Sequence, residues 1–110
     1  MIAAERTLTL RTATQNIPVP IKTFVPVMDK DTWGCRWEIH WPDRLRNGTA
    51  FGFDGMQALV HALQTIGTEI YESSEHKSGQ LSWTESRSGY GFPVPQIIRD
   101  SLIGDDANYF

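Results

Sequence analysis

A chain of 110 residues, 40% hydrophobic and 21% charged, has the apolar content of an ordinary folded domain, which excludes wholesale disorder and predicts one core. No run of about 18 apolar residues occurs, and no basic stretch followed by an apolar one opens the chain, so neither a membrane span nor a secretory leader is expected. The net charge of −3 disfavours nucleic acid as a partner, and the single cysteine, unable to close an internal disulfide, points to a reducing compartment, the cytoplasm.

In chain order, residues 5–12 alternate Leu8 and Leu10 with Thr7, Thr9 and Arg11, the period of a half-buried strand. Residues 17–28 alternate again, with Ile17, Val19, Ile21, Val25 and Val27 on one side and Lys22, Phe24 and Met28 on the other. Pro18, Pro20 and Pro26 cannot donate to a ladder, so this second strand is expected at a sheet edge or broken. As an edge, its residues 23–25 would be available to pair in a homodimer.

The strand at 33–41 is the clearest in the chain: Trp33, Cys35, Trp37, Ile39 and Trp41 take one face, and Gly34, Arg36, Glu38 and His40 the other. Pro42 ends it, and Asn47-Gly48 is expected to turn the chain back into a fourth strand at 49–53. From Asp54, a plausible N-cap, the period becomes helical. Met56, Leu59, Val60, Leu63, Ile66, Gly67 and Ile70 form one apolar stripe that should end near Ser73-Ser74.

Residues 80–83 can add a short fifth strand. A glycine-containing loop with Arg87 and Tyr90 follows, then an extended Phe92-Pro93-Val94-Pro95 and a short helix from Pro95 through Ile103, stopped by Gly104. The expected fold is therefore α+β, an antiparallel sheet of four to five strands with one long amphipathic helix on one face and a short C-terminal helix, all in a single domain over residues 1–110.

The run W-x-C-x-W-x-I-x-W-P at 33–42, with Phe51-Gly52-Phe53-Asp54, Gln57-Ala58-Leu59, Leu81-x-Trp83 and Gly91-Phe92-Pro93, resembles a small bacterial family of uncharacterised single-domain proteins. The resemblance covers most of the chain from Trp33 onward. It implies one compact unit and transfers no catalytic residue, because no activity is assigned to that family.

The candidate chemistry is sparse. The tryptophan face could stack bases or a partner surface, but Cys35 and Ile39 between the rings read as core packing beneath the helix. Cys35 and His40 differ by an odd number, so an undistorted strand sends them to opposite faces, and a nucleophile–base pair is not expected. The spacing of His40, His61 and His76 matches no local metal-ligand pattern, and no metal or other cofactor is expected.

Arg36, Glu38 and His40 share a face and supply a cation, an acid and a base in one row, the raw material of proton transfer and also the usual solvent side of such a strand. With Arg87 and Tyr90 they make the candidate interaction face. The expected function is binding to another protein, as an immunity protein or small inhibitor does. A small enzyme or ligand binder using the Arg36, Glu38 and His40 row is the alternative, and a nucleic-acid binder ranks third.

Overall fold

The computed structural model describes residues 1–85 and 88–110. Its strands are β1 (Ile2–Arg11), β2 (Asn16–Phe24), β3 (Val27–Asp29), β4 (Thr32–Trp41), β5 (Arg44–Gly52) and β6 (Leu81–Ser82). The helices are α1 (Gly55–Glu72), α2 (Ser74–Lys77) and α3 (Gly104–Tyr109), with a 3-10 helix over Gln96–Ser101. The architecture is the expected α+β one, with six strands in one antiparallel sheet among the described residues.

β4 is the axis of the sheet. One of its edges pairs with β5 from Trp33 to Trp41; the other is shared by β3, opposite Thr32–Gly34, and β2, opposite Trp37–Ile39. Between those two partners the register moves by one residue, the signature of a bulge, and Pro26 lies there. The bulge flips the alternation, so Val25 and Val27 are exposed instead of continuing the buried row of Val19, Ile21 and Thr23.

The prolines of β2 fit this arrangement. Val25 N–H donates to Met1 O, so odd-numbered residues of β2 turn their backbone groups toward β1 and even-numbered ones toward β4. Pro18 and Pro20 are even, and they lie beyond Ile21, the last β2 residue paired with β4, so no ladder bond is lost. The second strand is thus an edge only in its first half. Thr23 pairs with both Ala4 and Trp37 and is buried, which removes residues 23–25 as a site of edge-to-edge dimerisation.

The turn expected at Asn47-Gly48 lies elsewhere. The β4–β5 connection is Pro42-Asp43, with Trp41 opposite Arg44, and Asn47-Gly48 lies within β5. Gly48 is needed there for space, because a Cβ would sit 3.0 Å from the Trp37 indole across the ladder. The β3–β4 turn is Lys30-Asp31, both at positive φ (50° and 68°), the mirror-image turn that matches strand twist.

α1 crosses β4 and β5 on one face of the sheet. The Asp54 side chain caps it by accepting from Gln57 N–H at 2.8 Å, while Gln57 Oε1 accepts from Phe53 N–H. The buried row is Ala58, Ala62, Ile66 and Ile70, flanked by Gly67 and Tyr71; Met56 and Val60, expected in the stripe, are exposed. Small residues at 58 and 62 let the helix approach closely at its start. A Cβ on Gly52 would lie 2.5 Å from the Ala58 nitrogen.

The core beneath α1 is made by Cys35, Trp37, Ile39 and Trp41 of β4, Val19 and Ile21 of β2, and Leu8 and Leu10 of β1. Each large aliphatic fully buried there contributes roughly 1.5–3 kcal/mol. Beside α1, the extended segment carrying Tyr90, Phe92 and Val94 completes the cover. Arg6 of β1 fastens it, donating to the carbonyls of Tyr90 and Gly91, with its guanidinium 3.9 Å from the Trp83 ring.

The C-terminal helix expected to run from Pro95 to Ile103 is the 3-10 helix followed by α3, and Gly104 begins α3 rather than ending a helix. Gly104 has φ +55° and its α-carbon faces Ser88, where a Cβ would meet backbone at 2.4 Å.

Candidate functional site

Covering one face of the sheet leaves the other bare. Strand alternation places Gly34, Arg36, Glu38 and His40 of β4 there, and the antiparallel register sets Phe51, Thr49, Asn47 and Leu45 of β5 directly opposite them. Lys22 of β2 faces Glu38, and Val27 of β3 faces Gly34.

Glu38 is the hub of the row. Its Oε1 accepts from His40 Nε2 at 2.7 Å, and its Oε2 accepts from Arg36 Nη2 at 3.4 Å. The Glu38 side chain is 18% exposed, against 63% for Arg36, so the carboxylate is sheltered by its neighbours and the guanidinium is presented to solvent. Arg36 also lies over the Phe24 ring, 4.6 Å from its centroid, which holds a flexible side chain in one place.

The Gly34 end of the face mixes apolar and polar groups. A hollow of about 410 Å³ is lined there by the apolar Phe24, Val27 and Phe51 and by the polar Asp29, Arg36 and Thr49, among others. Phe51 is 60% exposed and Val27 64%, unusual for large apolar side chains in strands. A Cβ on Gly34 would press to 3.1 Å from Thr49 Cγ2 and 3.6 Å from the Phe51 ring, so the glycine leaves the floor of the hollow open. A hollow with aromatic and aliphatic walls and a pinned arginine stands beside a sheltered imidazole–carboxylate pair.

Three of the five residues singled out from sequence, Arg36, Glu38 and His40, are therefore brought together. Tyr90 is not with them: it is 2% exposed, on the helix-covered side, with its hydroxyl hydrogen-bonded to His76 Nδ1 at 2.6 Å. Its ring packs edge-on against Tyr71, which draws it inward from the surface. Arg87 lies outside the described residues. Sequence reasoning missed Val27, Leu45 and Phe51. Their signal was parity, hidden for Val27 by the bulge and for Leu45 by the misplaced turn.

The remaining candidates are placed as follows. Cys35 is fully buried, its thiol donating to Phe24 O at 3.2 Å, and burial pushes it above its ordinary pKa. Trp37 and Trp41 are buried beneath α1 and Trp33 is half-buried, so the tryptophan face is not available for stacking bases. His40, His61 and His76 each bond to a different group, and no cluster of metal-ligating side chains occurs among the described residues.

A second polar assembly lies under the C-terminus. The buried Asp106 carboxylate accepts the Tyr71 hydroxyl, Tyr90 N–H at 2.9 Å and Gly91 N–H at 2.7 Å. Burial first, and the Asp106 bond next, push the Tyr71 hydroxyl far above the usual tyrosine range. With every oxygen engaged by the protein itself, this assembly ties α3 and residues 90–91 to α1.

The fold and face together define a class: an antiparallel sheet with one long helix on one side and a mixed apolar and charged surface on the other. Residues 4–94 match the family described as Domain of unknown function (DUF6968), and the chain belongs to that family. No curated protein and no solved structure matches it.

Proposed function

We propose that this is a non-enzymatic protein-binding module of the bacterial cytoplasm, acting as an immunity protein or small inhibitor does, by occupying another protein with the bare face of its sheet. The observation that carries this reading is the pairing of exposed Phe51 and Val27 with the pinned Arg36 around one hollow. Aromatic and arginine anchors beside an apolar pocket, rimmed by polar groups, are the composition of binding hot spots. Glu38, His40, Asn47 and Thr49 supply such a rim. The test is copurification of the tagged chain with the product of the neighbouring gene. A stoichiometric pair supports the reading, and a chain that recovers no such product counts against it.

A second reading, a small enzyme or ligand binder, is favoured by one contact, the 2.7 Å pair of His40 Nε2 and Glu38 Oε1. Simultaneous alanine substitution of Arg36, Glu38 and His40 should then abolish turnover or ligand binding at unchanged thermal stability. Unaltered function in the triple variant removes it.

A further inference from the structure

β5 is a long strand at the edge of the sheet, paired among the described residues only with β4. Which of its backbone groups are free follows from the register. Phe51 O accepts from His61 Nδ1 at 2.7 Å and so points away from β4, and with it every odd-numbered residue of the strand turns its N–H and C=O outward. The same alternation holds across the sheet, where the even residues of β2 face β4. Leu45, Asn47 and Thr49 therefore offer donors and acceptors along an edge that nothing among the described residues covers by backbone pairing.

Edges of this length are ordinarily blunted by proline, by inward charge or by a covering element. β5 contains no proline, and its inward charges, Arg44 and Arg46, are compensated within the chain by Glu75 and Glu69. What remains at the edge is a strand with Leu45 and Phe51 exposed on one face.

We propose that this edge pairs with β5 of a second copy of the chain, antiparallel about a two-fold axis at Gly48, joining two sheets into one. The sequence is self-complementary in that register. Leu45 falls opposite Phe51 of the second copy and Asn47 opposite Thr49, each pair repeated by the symmetry, so apolar meets apolar and polar meets polar on the bare face. All four are outward-facing, so each cross-pair exchanges backbone hydrogen bonds. On the helix side Arg46 falls opposite Ala50 and Arg44 opposite Gly52, so no like charges are directly opposed. Gly48 meets Gly48 on the axis, where side chains would be most crowded. The bond from His61 leaves the second lone pair of the Phe51 carbonyl for the new ladder. The pairing does not rest on what the bare face binds, although it engages Phe51 of the hollow, and it would set two copies of that face side by side.

The test is sedimentation equilibrium of the full chain over a wide concentration range, with three variants. Wild type should dimerise reversibly. Thr49→Pro removes an outward donor without touching the β4 ladder and should be monomeric with an unchanged near-ultraviolet spectrum. Asn47→Lys with Thr49→Lys sets like charges opposite each other and should weaken the dimer at least about tenfold, whereas Asn47→Lys with Thr49→Glu restores opposite charges and should keep it. Should Thr49→Pro fail to fold, the two charge variants decide alone. A wild type that is monomeric throughout, or a dimer equally strong in both charge variants, overturns the proposal.

Discussion

Tyr71, at the end of α1, donates its hydroxyl to Asp106, 35 residues later in α3, and that bond joins the long helix to the C-terminal one. The same side chain holds Tyr90 N–H and Gly91 N–H, so one buried carboxyl group fixes three segments. Asp106→Ala leaves those donors unpaired in the interior and should cost about 3 kcal/mol of unfolding free energy. Urea denaturation measures it, and a loss below about 1 kcal/mol would show that the network is not what holds the C-terminus down.

Gly67 shows where helix propensity and packing oppose each other. Alanine is favoured over glycine in a helix by about 1 kcal/mol, yet a Cβ here would sit 2.2 Å from Pro93 O, a backbone atom that cannot swing aside. Packing should prevail, and Gly67→Ala should destabilise by about 2 kcal/mol. Thermal unfolding reads the sign directly. A stabilised variant would mean that residues 91–95 do not lie against α1 in solution.

Arg44 donates to both oxygens of Glu75, at 2.9 and 3.1 Å, and this is the main cause that holds the Glu75 carboxyl below its ordinary value of 4.5. A depressed folded pKa means that the native state favours the ionised form. The stabilisation is therefore complete above the unfolded value and is lost as pH falls through the folded one. Relative to Glu75→Gln, wild type should be more stable by about 1 kcal/mol at neutral pH, with the difference vanishing as the pH falls through the lowered carboxyl value. Paired denaturation series check this; a difference that persists in acid would contradict it.

Cys35 is enclosed between β2 and α1 and its thiol is shifted upward by burial, so the thiolate is suppressed while the chain is folded. A thiol reagent should label it only at the rate of global unfolding, and rapidly in denaturant. Fast labelling of the native chain would indicate that β2 opens away from β4 near Phe24.

The legible part of this protein was its periodicity. The alternation of residues 33–41 fixed which side of β4 is core and which carries Arg36, Glu38 and His40, because a period of two admits only two assignments. The helix was legible for the same reason, but its buried row was displaced onto Ala58 and Ala62, since close approach at Gly52 favours small residues over larger ones. Turn chemistry misled at Asn47-Gly48, where glycine makes room for Trp37 rather than reversing the chain. The Asp106 assembly could not be read at all: its partners at 71, 90 and 91 are joined to it only by the tertiary fold.

The claim that the bare face is the binding surface is tested most directly by calorimetric titration of the copurified partner against wild type, Val27→Glu and Ile97→Glu. Val27 lines the hollow, whereas Ile97, 91% exposed, stands in the C-terminal 3-10 helix away from it. Replacing an apolar anchor by a carboxylate beside Asp29 should weaken binding at least about thirtyfold, and Ile97→Glu should bind as wild type does. Equal affinity of Val27→Glu and wild type would contradict the account.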